Sequence, residues 1–179
     1  MKHPSTRHVG LDSQCLSYLL DGIAGISEPT DALAEEKKAL LRTWFYQPGT
    51  FILSETVISE VAKIRNLDRR RFHESFVQTL FLDYSVRDLA AVQDRAAHLQ
   101  MSHPKASDCR ILAEAEELQL DFLLTYDHDF WKRLSATSLT TKLMKPSPFW
   151  ISLGIAKGVT PVTVPHHTNP LSQQSWWRW

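Results

Sequence analysis

The sequence predicts an α/β fold: a central parallel sheet covered by helices on both faces, in three layers. Three observations predict it. Short apolar stretches at residues 8–11, 50–53 and 122–125 are each followed by a segment whose apolar residues recur at helical spacing. Strands that alternate with helices in this way form crossover units, which pair in parallel. The chain of 179 residues is 43% hydrophobic and 22% charged, which suits one compact domain of about 150 residues with something added.

Taken in order, residues 8–11 read as a strand that ends at Asp12, and Leu16, Leu19, Leu20 and Ile23 mark a helix stopped by Gly22 and Gly25. Residues 32–45 carry Leu33, Leu40, Leu41 and Trp44 on one helical face. The Pro48-Gly49 pair predicts a turn before the strand 50–53, after which Ser54 is placed to cap a helix bearing Val57, Ile58, Val61 and Ile64. Phe72 and Phe76 lie four apart within residues 70–78, and residues 80–84 are apolar enough for a strand. From Ser85, the spacing of Val86, Leu89, Val92, Ala96 and Leu99 is helical, with Ser85 and Asp88 resembling a capping box, and Pro104 breaks the pattern. Residues 107–118 read as a helix, 122–125 as a buried strand ending at Asp127, and Leu139, Thr141 and Leu143 as a last short strand. After Lys145 the composition changes. The last 34 residues hold five of nine prolines and four of six tryptophans, so residues 1–150 are expected to form the domain and 151–179 a basic extension.

Net charge is zero, but it is unevenly spread. Residues 1–129 hold 14 Lys and Arg against 20 acids, and residues 130–179 hold six basic residues and no acid. A −6 body and a +6 end allow an acidic site and an anion-facing surface on one molecule. No apolar run approaches a membrane span, and residues 1–10 lack the apolar core of a secretory signal, so no membrane partner and a cytoplasmic setting are expected. Two cysteines, Cys15 and Cys109, are too few for a disulfide framework or a zinc cluster. The six scattered glycines form neither a Walker loop nor a dinucleotide fingerprint.

Open parallel sheets bind ligands beyond the carboxyl ends of their strands. Asp12 and Asp127 follow strands, with Asp129 two residues on, Asp108 opens a helix, and Glu60 borders the apolar face of its helix. Taken singly, Asp12 also reads as a helix cap, Asp108 as a partner of the helix dipole and Glu60 as a surface acid. Gathered in one crevice they would not stay ionised unaided, since two carboxylates about 5 Å apart repel by about 3 kcal/mol at an effective dielectric near 20. They would need a cation. Oxygen ligands without a His or Cys cluster select Mg²⁺ or Mn²⁺, and metal-assisted hydrolysis is the reaction class that follows.

Read together, three strings carry a family resemblance: VGLDSQCLSYLL, ILSETVISEVAKI and HPKASDCRILAEAEELQLDFLLTYDHDF, the last closing on Thr125, Asp127, Asp129 and Phe130. With KLMKPSPFW, the chain resembles the PIN-domain ribonucleases over roughly residues 8–150. The resemblance implies an α/β/α sandwich whose acids Asp12, Glu60, Asp108 and Asp127 bind Mg²⁺ or Mn²⁺ and hydrolyse RNA, with Asp129 an auxiliary ligand. It implies that Ser13 and Thr125 hold ligands or substrate through their hydroxyls. Many compact bacterial members look like VapC toxins, kept silent by an antitoxin whose tail enters the acidic groove. The insert at 25–48 and the tail set this chain apart from them. A homodimer is compatible with the sequence.

Arg69, Arg70 and Arg71 fan around a helix and face solvent, RNA phosphate or a partner's acidic segment. Trp176, Trp177 and Arg178 mix flat aromatic and cationic groups, as single-strand binders do, although packing back over the domain is the default for such tryptophans. The rival reading is a non-catalytic PIN-type module that binds RNA or protein, which would be expected to lack acids that are all present here. A phosphotransfer domain with Asp12 as nucleophile is disfavoured. Gln14 stands where the haloacid dehalogenase-like pattern wants a second Asp, and His8 and Val9 stand where a receiver domain wants acids.

Overall fold

The computed structural model describes residues 7–25, 27–46 and 50–179. Five strands form one all-parallel sheet: β1 (His8–Leu11), β2 (Thr50–Leu53), β3 (Leu82–Asp83), β4 (Phe122–Leu124) and β5 (Lys142–Met144), in the order β3-β2-β1-β4-β5. The chain builds outward from β1 to β2 and β3, then returns to place β4 on the other side of β1. The order therefore reverses between β1 and β4, which pair Val9 with Phe122 and Leu11 with Leu124. That pair marks the crevice where an open α/β sheet binds its ligand.

The helices are α1 (Ser13–Ala24), α2 (Ala34–Tyr46), α3 (Glu55–Val61), α4 (Leu67–Leu80), α5 (Leu89–Gln100), α6 (Ala106–Glu117), α7 (His128–Leu134) and α8 (Pro146–Ser152). With the sheet they make the three-layer α/β/α sandwich expected from the sequence. Helix α5 packs along α6, and α2 lies against α1 and α8. Leu11, Leu16, Leu19, Leu40, Leu53, Leu112, Leu124 and Phe149 are among the buried side chains of a single core.

Several boundaries differ from the expectation, each for a local reason. Gly22 does not stop α1, which runs to Ala24 and is capped at Gly25; a side chain at 22 would crowd Leu41, 3.1 Å from the place of a Cβ, so this glycine lets α1 and α2 approach. The helix expected to reach Ile64 ends at Val61, and Asn66 caps a new one, its side chain accepting from the Arg69 amide. Helix α4 then continues to Leu80 and leaves only two residues of the strand expected at 80–84. Asp88 is itself the N-cap of α5, accepting from the Ala91 amide, and not the distal half of a capping box. The last strand lies at 142–144, later than expected, and α7 and α8 were not expected. The predicted Pro48-Gly49 turn lies outside the described residues.

The extension folds back on the domain. Trp177 is fully buried, its ring 4.6 Å from that of Phe45, and its indole N–H donates to the Leu171 carbonyl. The Trp179 amide donates to the Tyr46 hydroxyl, its ring meets Trp150 edge-on, and its indole N–H donates to the Ile155 carbonyl. Asn169 ties the tail to α1 by donating to the Ile23 carbonyl, and the Thr163 amide donates to the Phe45 carbonyl. Removing a buried Trp leaves a cavity and forfeits its transfer energy, about 3–5 kcal/mol. Trp177→Ala is accordingly expected to destabilise the protein by about 3–4 kcal/mol in urea denaturation, with Arg178→Ala, an exposed residue, within about 0.5 kcal/mol of wild type.

Candidate active site

Asp12 leaves β1 at the switch point, where its amide donates to the Leu124 carbonyl and extends the ladder by one bond. Its side chain caps α1: Oδ1 accepts from the Cys15 amide at 2.6 Å. The carboxylate is 4% exposed, and burial pushes its pKa up to about 6. Hydrogen bonds from Thr125 and Cys15 oppose that rise, and the nearby Asp108 charge adds to it. Thr125 is buried at the end of β4, and its hydroxyl accepts from the Asp127 amide at 3.0 Å.

Asp127 divides its oxygens. Oδ1 caps α7, accepting from the amides of Asp129 and Phe130 at 2.9 and 3.0 Å. Oδ2 faces Lys105, 3.8 Å from its ammonium. Asp108, in the first turn of α6, divides its oxygens similarly: Oδ2 meets His103 Nε2 at 2.9 Å and Oδ1 meets Lys105 Nζ at 2.8 Å. Both Asp108 and His103 are buried. Burial pulls the Lys105 pKa down, but its hydrogen bond to Asp108 and the fields of Asp108, Asp127 and Glu60 outweigh this and leave it raised. A single half-exposed ammonium therefore lies within the field of three of the four predicted acids.

Glu60 stands on α3, near enough to Lys105 for its charge to be felt, and a residue the sequence did not single out sets that helix. Ser54 occupies the N-cap position but makes no cap bond. The cap comes from Glu114 on α6, a fully buried carboxylate that accepts from the Thr56 amide at 3.0 Å and the Thr56 hydroxyl at 2.6 Å. Arg110, one turn earlier on α6, donates to it at 3.0 Å. Glu60 then stands on the wall between two hollows. One, about 300 Å³, is lined by Ser13, Gln14, Ser17, Tyr18, Glu60 and Arg69 among others; the second, about 470 Å³, includes Thr56, Ser59, Glu60, Lys63, Ser107 and Arg110. Ser13 Oγ is buried without a hydrogen-bond partner among the described residues.

The remaining predicted residues lie away from the acids or have other partners. Asp129 is exposed, and its amide serves the α7 cap. Arg69 grips Asp21 with its fork at 2.6 and 3.2 Å, and His73 meets the same carboxylate at 2.9 Å. Arg70 donates to the Ala62 carbonyl at 3.4 Å, while Arg71 is exposed. Trp177 is buried and has no face to offer a base, Trp176 is half-buried, and Arg178 stands over the Trp177 ring at 4.7 Å. His103, Lys105 and Glu114 were not anticipated. The HPK string immediately before the Asp108 helix was the available signal for the first two, while a carboxylate six residues past Asp108 on the apolar side of a helix was the signal for the third.

The donor set bears on which ion these residues would suit. Among the described residues, no three His, Cys, Asp or Glu side chains lie close enough together to hold one ion. An all-protein cage is not what the residues offer. One or two carboxylate oxygens with the remaining positions filled by water is the arrangement Mg²⁺ favours, and the outward oxygens of Asp108 and Asp127, already shared by one cation, fit that chemistry.

No protein family and no curated protein matches the sequence. Among solved structures the fold is similar to that of a chain in the crystal structure of VapBC2 from Rickettsia felis bound to a DNA fragment from their promoter. The TM-score is 0.50 at 14% identity, over 77% of this chain and 99% of that one. The likeness is one of fold, a parallel sheet held between helices in three layers. No helix among the described residues is long and apolar enough to cross a membrane.

A carboxyl whose folded pKa is raised from 3.8 to about 6 favours the fold below its unfolded value, and that contribution is lost as pH rises through 6. Asp12→Asn keeps a capping oxygen and removes the buried charge. It is expected to stabilise the protein by about 2 kcal/mol at pH 7, and the gain should vanish as pH falls to about 4, read from thermal melts across that range.

Proposed function

We propose that this protein is a Mg²⁺- or Mn²⁺-dependent ribonuclease and the toxin of a toxin–antitoxin pair. The observation that carries the reading is the pairing of Asp108 and Asp127 through Lys105, with Asp12 close enough to Asp108 for its charge to be felt. The likeness of the fold to a VapBC2 chain supports an antitoxin as partner.

Asp108 and Asp127 would hold the ion, with Asp12 and Glu60 adding negative charge nearby. Such an ion supplies Lewis acidity: it acidifies water at neutral pH and offsets charge on phosphoryl oxygens. The protein's own residues do the rest. His103 fixes Asp108, the α7 cap fixes Asp127, and the α1 cap fixes Asp12, so each carboxylate keeps one orientation without substrate. That pre-organisation lowers the cost of assembling like charges at the moment of reaction. Glu60, which lines both hollows, would be the group to take a proton from the attacking water.

The experiment is cleavage of mixed RNA by purified wild type and by Asp108→Asn, with Mg²⁺, with Mn²⁺ and with chelator. Wild type should cut with either ion, and chelation should stop it. Asp108→Asn should lose at least about a hundredfold, the scale of losing one electrostatic partner of the reacting phosphate. Equal cleavage by the variant, or full activity under chelation, would refute the reading.

A further inference from the structure

Resting on that ribonuclease reading, we propose that Lys105 is a substrate-binding residue of the site. It serves as counter-ion to Asp108 and Asp127 in the free protein and passes to the RNA phosphate when a divalent ion takes its place.

The geometry gives Lys105 two positions. It stands at the N-cap of α6 without capping it, so its side chain has no structural bond to the helix end. Its ammonium bridges the outward oxygens, Asp108 Oδ1 at 2.8 Å and Asp127 Oδ2 at 3.8 Å, and leaves to the fold the oxygens that bind His103 and the α7 amides. Withdrawing the ammonium therefore frees two oxygens for another cation and disturbs no cap. The side chain is 53% exposed, and a flexible four-carbon stem lets it swing toward solvent without unpacking anything.

Charge arithmetic then says where it goes. Asp12, Glu60, Asp108 and Asp127, all ionised, carry four negative charges, and one divalent ion leaves two. A phosphodiester is itself an anion and would be repelled from such a centre. An ammonium at the rim halves the remaining charge and gives a phosphoryl oxygen a donor. Two neighbouring cations are engaged elsewhere, Arg110 by buried Glu114 and Arg69 by Asp21, and Lys63 lines the hollow beside Glu60 with no ion pair to Asp108 or Asp127.

Lys105→Met and Lys105→Arg separate the possibilities. In calorimetric titration without RNA, Lys105→Met should bind Mn²⁺ about tenfold more tightly than wild type, because the ion no longer displaces a charge. With Ca²⁺ as an ion expected not to support cleavage, binding of a fluorescent oligo(A) strand should weaken about tenfold. At saturating Mn²⁺, cleavage should fall about a hundredfold, and Lys105→Arg should recover part of both losses. Unchanged Mn²⁺ affinity in Lys105→Met would overturn the exchange. Cleavage at or above the wild-type rate would overturn the phosphate role and leave Lys105 a mere plug. A wild type that binds Mn²⁺ but cuts no RNA would strike the ribonuclease reading and leave the exchange to stand on the Mn²⁺ comparison alone.

Discussion

A negative charge that the fold holds out of water is the constraint on which the rest of the molecule depends. Asp12 cannot move outward, because its oxygen closes the first turn of α1 and its amide continues the β1–β4 pairing. Its carboxyl must therefore be compensated where it stands. Hydrogen bonds from Thr125 and the Cys15 amide do part of this, but burial outweighs them. With Asp108 close enough to add to the rise, the site is short of positive charge, and Lys105 lies near its acids for that reason. The raised pKa of Asp12 and the ion pairs of Lys105 are thus two consequences of one arrangement.

Bonds made far from the acids hold this arrangement in place. Glu114 spans 58 residues of sequence to cap α3, so the position of Glu60 depends on α6, the helix that also carries Asp108. A buried carboxylate is costly unless it is fully bonded, and three donors from Thr56 and Arg110 meet that condition here. Two acids of the proposed site are thereby placed on one packed pair of helices and not on independent loops. The same economy appears at α7 and α1, where site aspartates double as caps.

Most of the sheet was legible because its strands are short apolar runs bounded by turn residues or acids, and period and polarity alone mark such runs. Strand β2 lies where the sequence places it, and β1 likewise. The failures share a cause: they are decided by contacts distant in sequence. Gly22 reads locally as a helix stop, and only the proximity of Leu41 shows it to be a packing glycine. Ser54 reads as a cap, and only the approach of Glu114 shows the place to be taken. The acids after strands were legible as a set because the carboxyl ends of parallel strands share an edge. Lys105 was not, since a lysine three residues before an aspartate is ordinary on any helix and acquires meaning only when Asp127 arrives from another strand.

The extension bears on how the uneven charge should be understood. Residues 130–179 carry all of the excess positive charge, yet the aromatic end of that segment is committed to packing on α2 and α8, with Arg42 and Lys157 both within about 5 Å of the Trp179 ring. A tail that offered its tryptophans to nucleic acid would have to leave the core, and a buried indole is held there by several kcal/mol. Its remaining cations stay on the surface as a fixed part of the domain. The positive half of the molecule therefore presents cations fixed to the surface of the domain and not a free aromatic tail.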